Sequence, residues 1–357
     1  MMTQINRIKV KIFFIFISFS LVIGISLSIL LGPVEISLMQ IFKIISDFIG
    51  TSNYLNTDIY SELHKSVLLN IRLPRIILAI LVGMALGTSG AILQGLFRNP
   101  LVDPGFIGVS SGAAVGAMFI IMFSNIYFSD ISEIFLPYLL PIFAMIGSII
   151  TTLLVYKMST YEKRTNIMTM LLSGIAINAF VGSIIGILVI NSSDLQLRNF
   201  TFWTLGGLDS ANWDIVVISS VLIFIPILLS YTLRSKLDIF MLGDAEASYL
   251  GLSVENLKKT IILISALMVG VSVAFCGMIG FIGLVTPHLV RLFIGPNHNY
   301  LIIGSALLGA LLLVLADFVS RIIIPPAQVP ISVITSLIGA PFFIYLIIDQ
   351  KRKMKIA

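Results

Sequence analysis

Asp317 and Arg321 stand four residues apart inside an apolar stretch, the spacing of an ion pair along one helical face. A lone carboxylate inside a bilayer would suit proton or sodium coupling. One with its own arginine a turn away reads as a structural pair. His64, His288 and His298 are far apart, and the single cysteine, Cys276, sits in an apolar run. Neither a His/Cys metal cluster nor an internal disulfide can be assembled from them. There is no P-loop, no G-x-S-x-G elbow and no H-E-x-x-H helix. No catalytic residue, cofactor or metal site is expected.

The elements that carry these residues explain the shortage. Of 357 residues, 58% are hydrophobic and only 11% charged, and the mean hydropathy is +1.07. Soluble domains carry about 25% charged residues, so a soluble enzyme, a secreted scaffold and a disordered chain are excluded. A bilayer span takes about 20 apolar residues. Spans are placed near 12–31, 66–97, 106–124, 134–156, 167–190, 213–233, 257–279, 285–295, 299–320 and 331–349. The fold class is all-α, a single transmembrane domain over 1–357 with about ten helices. Stretch 12–31 is too long for a signal-peptide core and lacks a small-residue cleavage site, so it is read as a retained first span.

Both ends are basic, which places both termini in the cytoplasm by the positive-inside rule and requires an even number of crossings. With ten, the outer side holds Lys43, Lys65, Arg72, Arg75, Arg198 and Arg321, and the cytoplasmic side the other sixteen of the 22 basic residues. A net charge of +5 distributed in this way points to lipid headgroups as partners and not to nucleic acid.

Glycines fall at small-x3-small spacing at Gly83/Gly87, Gly112/Gly116 and Gly182/Gly186, which lets helix backbones approach closely. The word Gly105-Phe106-Ile107-Gly108 recurs as Gly280-Phe281-Ile282-Gly283, with five crossings between. An odd number inverts the topology, so an inverted repeat is possible, its two broken helix starts facing each other. Segment 195–208, with Arg198 and two glycines, is too polar to cross and reads as a partial helix at the outer mouth. After span six, Leu242, Ala245, Tyr249 and Leu252 fall on one helical face. An amphipathic helix over 242–252, outside the membrane, is therefore expected. Its acidic Asp244 and Glu246 suit a cytosolic partner better than anionic headgroups.

Several words, in order, resemble the permease subunits of ATP-driven importers for iron chelates, haem and cobalamin, the FecCD or BtuC-like family. They are Arg72-Leu73-Pro74-Arg75, Gly90 through Gln94-Gly95, residues 98–105 from Arg98-Asn99-Pro100, Gly108-Val109-Ser110-Ser111-Gly112-Ala113, residues 280–288, and Ile338-Gly339-Ala340-Pro341-Phe342-Phe343. The resemblance implies a homodimeric permease in the bacterial plasma membrane that works by alternating access. Its partners would be a cytoplasmic P-loop ATPase and an extracytoplasmic substrate-binding protein. By the same resemblance, Arg72, Arg75 and Arg321 would dock the binding protein from the outer rim. Gly243, Asp244, Glu246, Ala247 and Gly251 would couple to the ATPase. Asn99 and Leu101 would narrow the inner gate, and Arg198 would receive an anionic cargo. Where the family commonly has Glu, Pro and Gly before the last span, this chain has Gln328, Pro330 and Ser332. Residues 103–112 are most similar to haem-type members. Ferric siderophore members share nearly the same word, and cobalamin is the alternative cargo. An ion-coupled carrier would need a buried polar constellation beyond Asp317 and Arg321.

Overall fold

A computed structural model describes residues 4–49, 59–128, 131–132, 135–325 and 327–356. Met1–Thr3 and Ala357 of the single domain, and the expected start of span four at residue 134, lie outside the described residues. The helices are α1 (Gln4–Leu30), α2 (Leu38–Ile49), α3 (Glu62–Ser66), α4 (Leu73–Leu96), α5 (Val109–Tyr127), α6 (Leu136–Ser159), α7 (Ile167–Ile190), α8 (Asp194–Thr204), α9 (Trp213–Thr232), α10 (Arg234–Phe240), α11 (Asp244–Tyr249), α12 (Val254–Cys276), α13 (Ile282–Ile294), α14 (His298–Ile322) and α15 (Ile331–Ile356). A π-helical stretch, Val67–Arg72, joins α3 to α4, giving one continuous rod over Glu62–Leu96.

Among the described residues eight helices are long and apolar enough to cross a membrane, and α13 and the apolar part of α15 are shorter. With those two, the ten spans read from sequence each have a helix. Side-chain contacts bear out the alternation of sides. On one side Arg98 reaches Asp244, Lys258 reaches the Thr165 carbonyl and His298 reaches Asp238. On the other, Arg75 reaches Asp209, Trp213 donates to the Leu69 carbonyl and Arg321 reaches Ser28. The first is the basic side and the second the opposite side.

The central pair is α4 against α14. A Cβ on Gly83 would lie 2.3 Å from the Gly309 carbonyl oxygen, and one on Gly309 would lie 2.1 Å from that of Gly83. Gly112 and Gly147 do the same for α5 and α6. The third spaced pair behaves differently: nothing lies within 4 Å of a Cβ on Gly182 or Gly186. They sit on α7, whose apolar window is only 17% buried, against 78% for the α3–α4 rod. Side-by-side glycines report close packing only where a partner helix exists within the chain.

Both copies of the repeated word break a helix. In the first, Asp103 accepts from the Gly105 amide, Pro104–Ile107 forms a 3-10 turn, and Gly108 takes φ 82° before α5. In the second, Phe281 itself adopts φ 67° before α13, and its ring fills the space that a side chain on Gly339 would need. The two breaks meet: a Cβ on Gly283 would lie 2.9 Å from Pro104 Cγ. Irregular backbone of this kind is tolerated in a membrane protein only inside the bundle or along a cavity.

Helix α2 and a two-residue hairpin, Thr160–Tyr161 (β1) with Arg164–Thr165 (β2), are elements that the periodicity did not indicate. The hairpin turns on Glu162 (φ 47°) and Lys163 (φ 62°), the doubly left-handed geometry that joins twisted strands most tightly.

Candidate functional site

The segment after α9 folds into two short helices on the basic side. Helix α11 is shorter than expected and is bracketed by Gly243 (φ 129°) and Gly251 (φ 83°). At its end the Leu252 amide donates to the Ala247 carbonyl and the Gly251 amide to Ser248. These are the two bonds of a left-handed helix stop, which favours glycine. The apolar face expected over Leu242, Ala245, Tyr249 and Leu252 is divided. Leu252 packs on the core, whereas Leu242 is 63% and Tyr249 91% exposed. Ala247 is fully buried instead, and the Glu246 carboxylate folds back over Gly243, where a Cβ would lie 2.0 Å from it. A helix of six residues is too short to present a four-residue stripe.

Asp244 holds this platform. Its Oδ1 accepts from Arg98 Nη2 at 2.6 Å and its Oδ2 lies 2.9 Å from Lys258 Nζ. Lys258, only 4% exposed, also donates to Glu255 Oε1 and to the Thr165 carbonyl, each at 2.9 Å. The second oxygen of Glu255 accepts from the Thr165 amide at 2.8 Å. One chain of charges thus joins the end of α4, α11, the start of α12 and β2. Burial alone would raise the Asp244 carboxyl, but hydrogen bonds from Lys258 and Arg98 outweigh it and hold it below the usual carboxylate range.

Arg98 is the pivot. It occupies the left-handed stop of α4 (φ 48°), where glycine is usual, with the Asn99 amide donating to Gln94 and its own amide to Gly95. Its guanidinium donates to the Phe240 carbonyl and lies 4.1 Å above the Phe240 ring. Asn99, the next residue, accepts from the Leu101 amide at 2.9 Å, so Asn99 and Leu101 form a tight turn beside the pivot. Gln94, one turn back, is buried between the two helix breaks. It donates to the carbonyls of Val102 and Leu284 and accepts from Arg291 at 2.6 Å.

On the opposite side the three arginines expected on the rim are buried: Arg72 is 3%, Arg75 5% and Arg321 5% exposed. Arg75 Nε donates to Asp317 Oδ1 at 2.7 Å and its Nη1 to Asp209 Oδ1 at 2.8 Å. Arg321 lies 3.1 Å from the other oxygen of Asp317 and donates to Ser28. Arg72 is spent on the carbonyls of Ile29, Leu30 and Val34. Their burial has a simple cause. In a ten-helix bundle an arginine near a helix end can point inward to a carboxylate or to a neighbour's last carbonyls, and periodicity does not say which. The Asp317–Arg321 pair stands as read, with Arg75 as its unforeseen third member.

Arg198 is exposed on α8, 5.7 Å from the Phe202 ring. Helix α8 is held by a reciprocal cap between Ser193 and Gln196. Beyond it Gly206 takes φ 68° and its carbonyl accepts from the Ile331 amide, while the Gly207 amide donates to Cys276. A cavity of about 330 Å³ opens here, lined by Arg75, Trp203, Asp209, Phe275 and Gln328. The histidines serve structure. His298 pairs with Asp238 at 2.6 Å, His64 caps its own helix, and His288 sits edge-on to Phe342. Among the described residues no three of His, Cys, Asp and Glu gather as metal ligands.

Gln94 and Arg98 stood in the words that carry the resemblance without a role of their own, and no role was read for Asp209, Lys258 or Glu255. Only the three-residue spacing of Glu255 and Lys258 was locally legible. The Arg98–Asp244 and Arg75–Asp317 pairs join residues 146 and 242 positions apart.

The FecCD transport family is matched over residues 20–349. The chain is 44% identical over 292 residues to the hemin transport system permease protein HmuU of Yersinia pestis, covering 80% of this chain and 84% of that one. It is 37% identical over 291 residues to the Fe(3+) dicitrate transport system permease protein FecD of Escherichia coli, covering 81% and 87%. With the vitamin B12 import system permease protein BtuC of Vibrio cholerae it shares 35% over 290 residues, covering 81% and 85%. It is also similar to a solved chain of a metal-chelate type ABC transporter in an inward-facing conformation. That match has a TM-score of 0.80 at 30% identity, over 95% of this chain and 99% of the other.

Proposed function

The chain belongs to the FecCD transport family, and from that premise we propose how this multi-pass permease works and what it carries. It is the membrane half of an importer that takes up haem or a ferric siderophore, driven by a separate cytoplasmic P-loop ATPase. Cobalamin is the second reading, because B12 permeases are among its relatives at 35% identity. The basic side faces the cytoplasm of a bacterial cell, with both termini inside.

The observation that carries the mechanism is the platform of α10 and α11. It exposes Leu242 and Tyr249 outside the spans while Asp244 is anchored by Arg98 and Lys258. Exposed apolar side chains on a rigid, polar-rimmed support are what a partner surface requires. The ATPase seats on Gly243, Asp244, Glu246, Ala247 and Gly251. Motion of this helix is carried through Asp244 to Arg98 and so to the turn of Asn99 and Leu101, the inner gate.

A second copy of the chain covers α7, where Gly182 and Gly186 face open space, and the cargo path runs between copies. Arg198 receives the carboxylates of an anionic cargo, for which a guanidinium fork is suited. Arg72, Arg75 and Arg321 shape the docking face for the binding protein by holding α1, α4 and α14 together, and Arg198 and the Asp209 carboxylate are among the accessible charges of that side. Lipid is the surrounding partner, and nucleic acid is not.

Two measurements test this reading. Purification from native membranes is expected to yield two permease and two ATPase chains, and a transport-active particle without ATPase would overturn it. Uptake into proteoliposomes with the purified binding protein and labelled haem, siderophore and cobalamin identifies the cargo.

A further inference from the structure

On the face formed by α1, α13 and α14 lies an apolar slot of about 540 Å³, within the range of about 300–1,000 Å³ that holds small ligands. Its floor is the buried Leu308 of α14, and its walls are Ile12 and Phe16 on one side and Leu292 and Phe293 on the other. These four are between 61% and 66% exposed. Phe13 and Phe293, with ring centroids 5.8 Å apart, tie the two walls together. One cation, Lys9, closes the end nearest the N-terminus of α1.

The dimensions and the charge identify an occupant. From Lys9 to Phe16 the helix rises about 10 Å, within the roughly 15 Å of one leaflet, half of an about 30 Å hydrocarbon core. A slot confined to one leaflet, apolar along its length and cationic at its interfacial end, matches an acyl chain beneath an anionic headgroup. The surroundings sharpen the sign. Residues 1–34 and 282–316, which supply the floor and both walls, contain no Asp or Glu, whereas Arg7, Lys9, Lys11 and Arg291 lie in them. Lys9 therefore has no carboxylate on α1 or α13 to pair with, Asp317 of α14 being held by Arg75 and Arg321, and a headgroup phosphate is the complementary charge.

We propose that this slot is a specific binding site for one anionic phospholipid, with an acyl chain between α1 and α13 and the headgroup phosphate on Lys9. A lipid held there clamps α1, whose own apolar window is only 22% buried, onto the end of α13 that also carries Arg291.

The test uses the full chain purified in neutral detergent and titrated with phosphatidylglycerol or phosphatidylcholine, read by native mass spectrometry and by thermal unfolding. Wild type is expected to retain one phosphatidylglycerol per chain and to unfold at a higher temperature with it than with phosphatidylcholine. Lys9→Glu should lose that difference while keeping its response to phosphatidylcholine. Lys157→Glu, an exposed cation on α6, should retain it. Ile12→Trp, which fills the slot from its exposed rim, should lose the bound lipid although the charge is intact. Equal stabilisation of wild type by the two lipids, or an undiminished phosphatidylglycerol effect in both slot variants, overturns the proposal.

Discussion

Arg98, held at φ 48° where α4 stops, donates to Asp244 Oδ1 at 2.6 Å, so the turn of Asn99 and Leu101 and the platform helix α11 share one charged joint. A charge-assisted hydrogen bond between partly buried groups contributes about 1.5–3 kcal/mol. That is enough to carry motion from one segment to the other.

The first prediction follows from that joint. Arg98→Ala should lower uptake in proteoliposomes by at least about tenfold, since 1.4 kcal/mol is a factor of ten, while basal ATP hydrolysis continues. Because the folded-state Asp244 carboxyl sits below the usual range, its contribution is present above the unfolded value and is lost as pH falls through the folded one. Removing Arg98 takes away one of the bonds that lower it. The pH at which coupling fails on acidification should therefore move upward, and an unmoved acid limb with wild-type uptake would refute the joint.

Gly251 isolates backbone geometry from packing. No atom lies within 4 Å of a Cβ at this position, so a substitution meets only the strain of φ 83°, about 1–2 kcal/mol for a side chain in the left-handed region. Gly251→Val should abolish uptake and uncouple ATP hydrolysis with membrane insertion intact, and Gly251→Asn should be tolerated. Unchanged cargo-stimulated hydrolysis in the valine variant would exclude α11 as the ATPase seat.

The arginines of the opposite side separate by burial. Arg75→Ala leaves the 1% exposed Asp317 with Arg321 alone. Breaking a buried pair is destabilising by about 3–5 kcal/mol, and thermal unfolding should show it. Arg198→Ala should change stability by less than about 0.5 kcal/mol while slowing uptake of an anionic cargo. If it transports every cargo at the wild-type rate, Arg198 has no part in the path.

The gate is tested by geometry alone. Cysteines at Asn99 and Leu101 should cross-link between the two copies only in the inward-closed state. Cross-linking that ignores nucleotide and cargo would leave the Asn99–Leu101 bond as ordinary turn chemistry.

The ten crossings, their alternation and the partial helix before Gly206 were legible in the chain itself. Apolar runs the length of a bilayer and basic residues at their ends are local properties, dictated by the cost of putting charge and unsatisfied backbone into lipid. The spaced glycines were half legible. Gly83 and Gly112 meet partner helices, while Gly182 faces open space, and spacing carries no information about which face finds a neighbour.

The tertiary structure alone decided what the charges do. Arg75 looked like a rim residue and is a buried guanidinium that links the exposed Asp209 to the buried Asp317. Asp244 looked like an acid that an amphipathic helix offers to a cytosolic partner and is a joint between segments far apart in sequence. A charge inside a mostly apolar bundle must find a partner, but that partner lies on whichever helix the packing brings alongside. The packing here is set by glycine contacts between α4 and α14, residues far apart in the chain that only the folded bundle brings together.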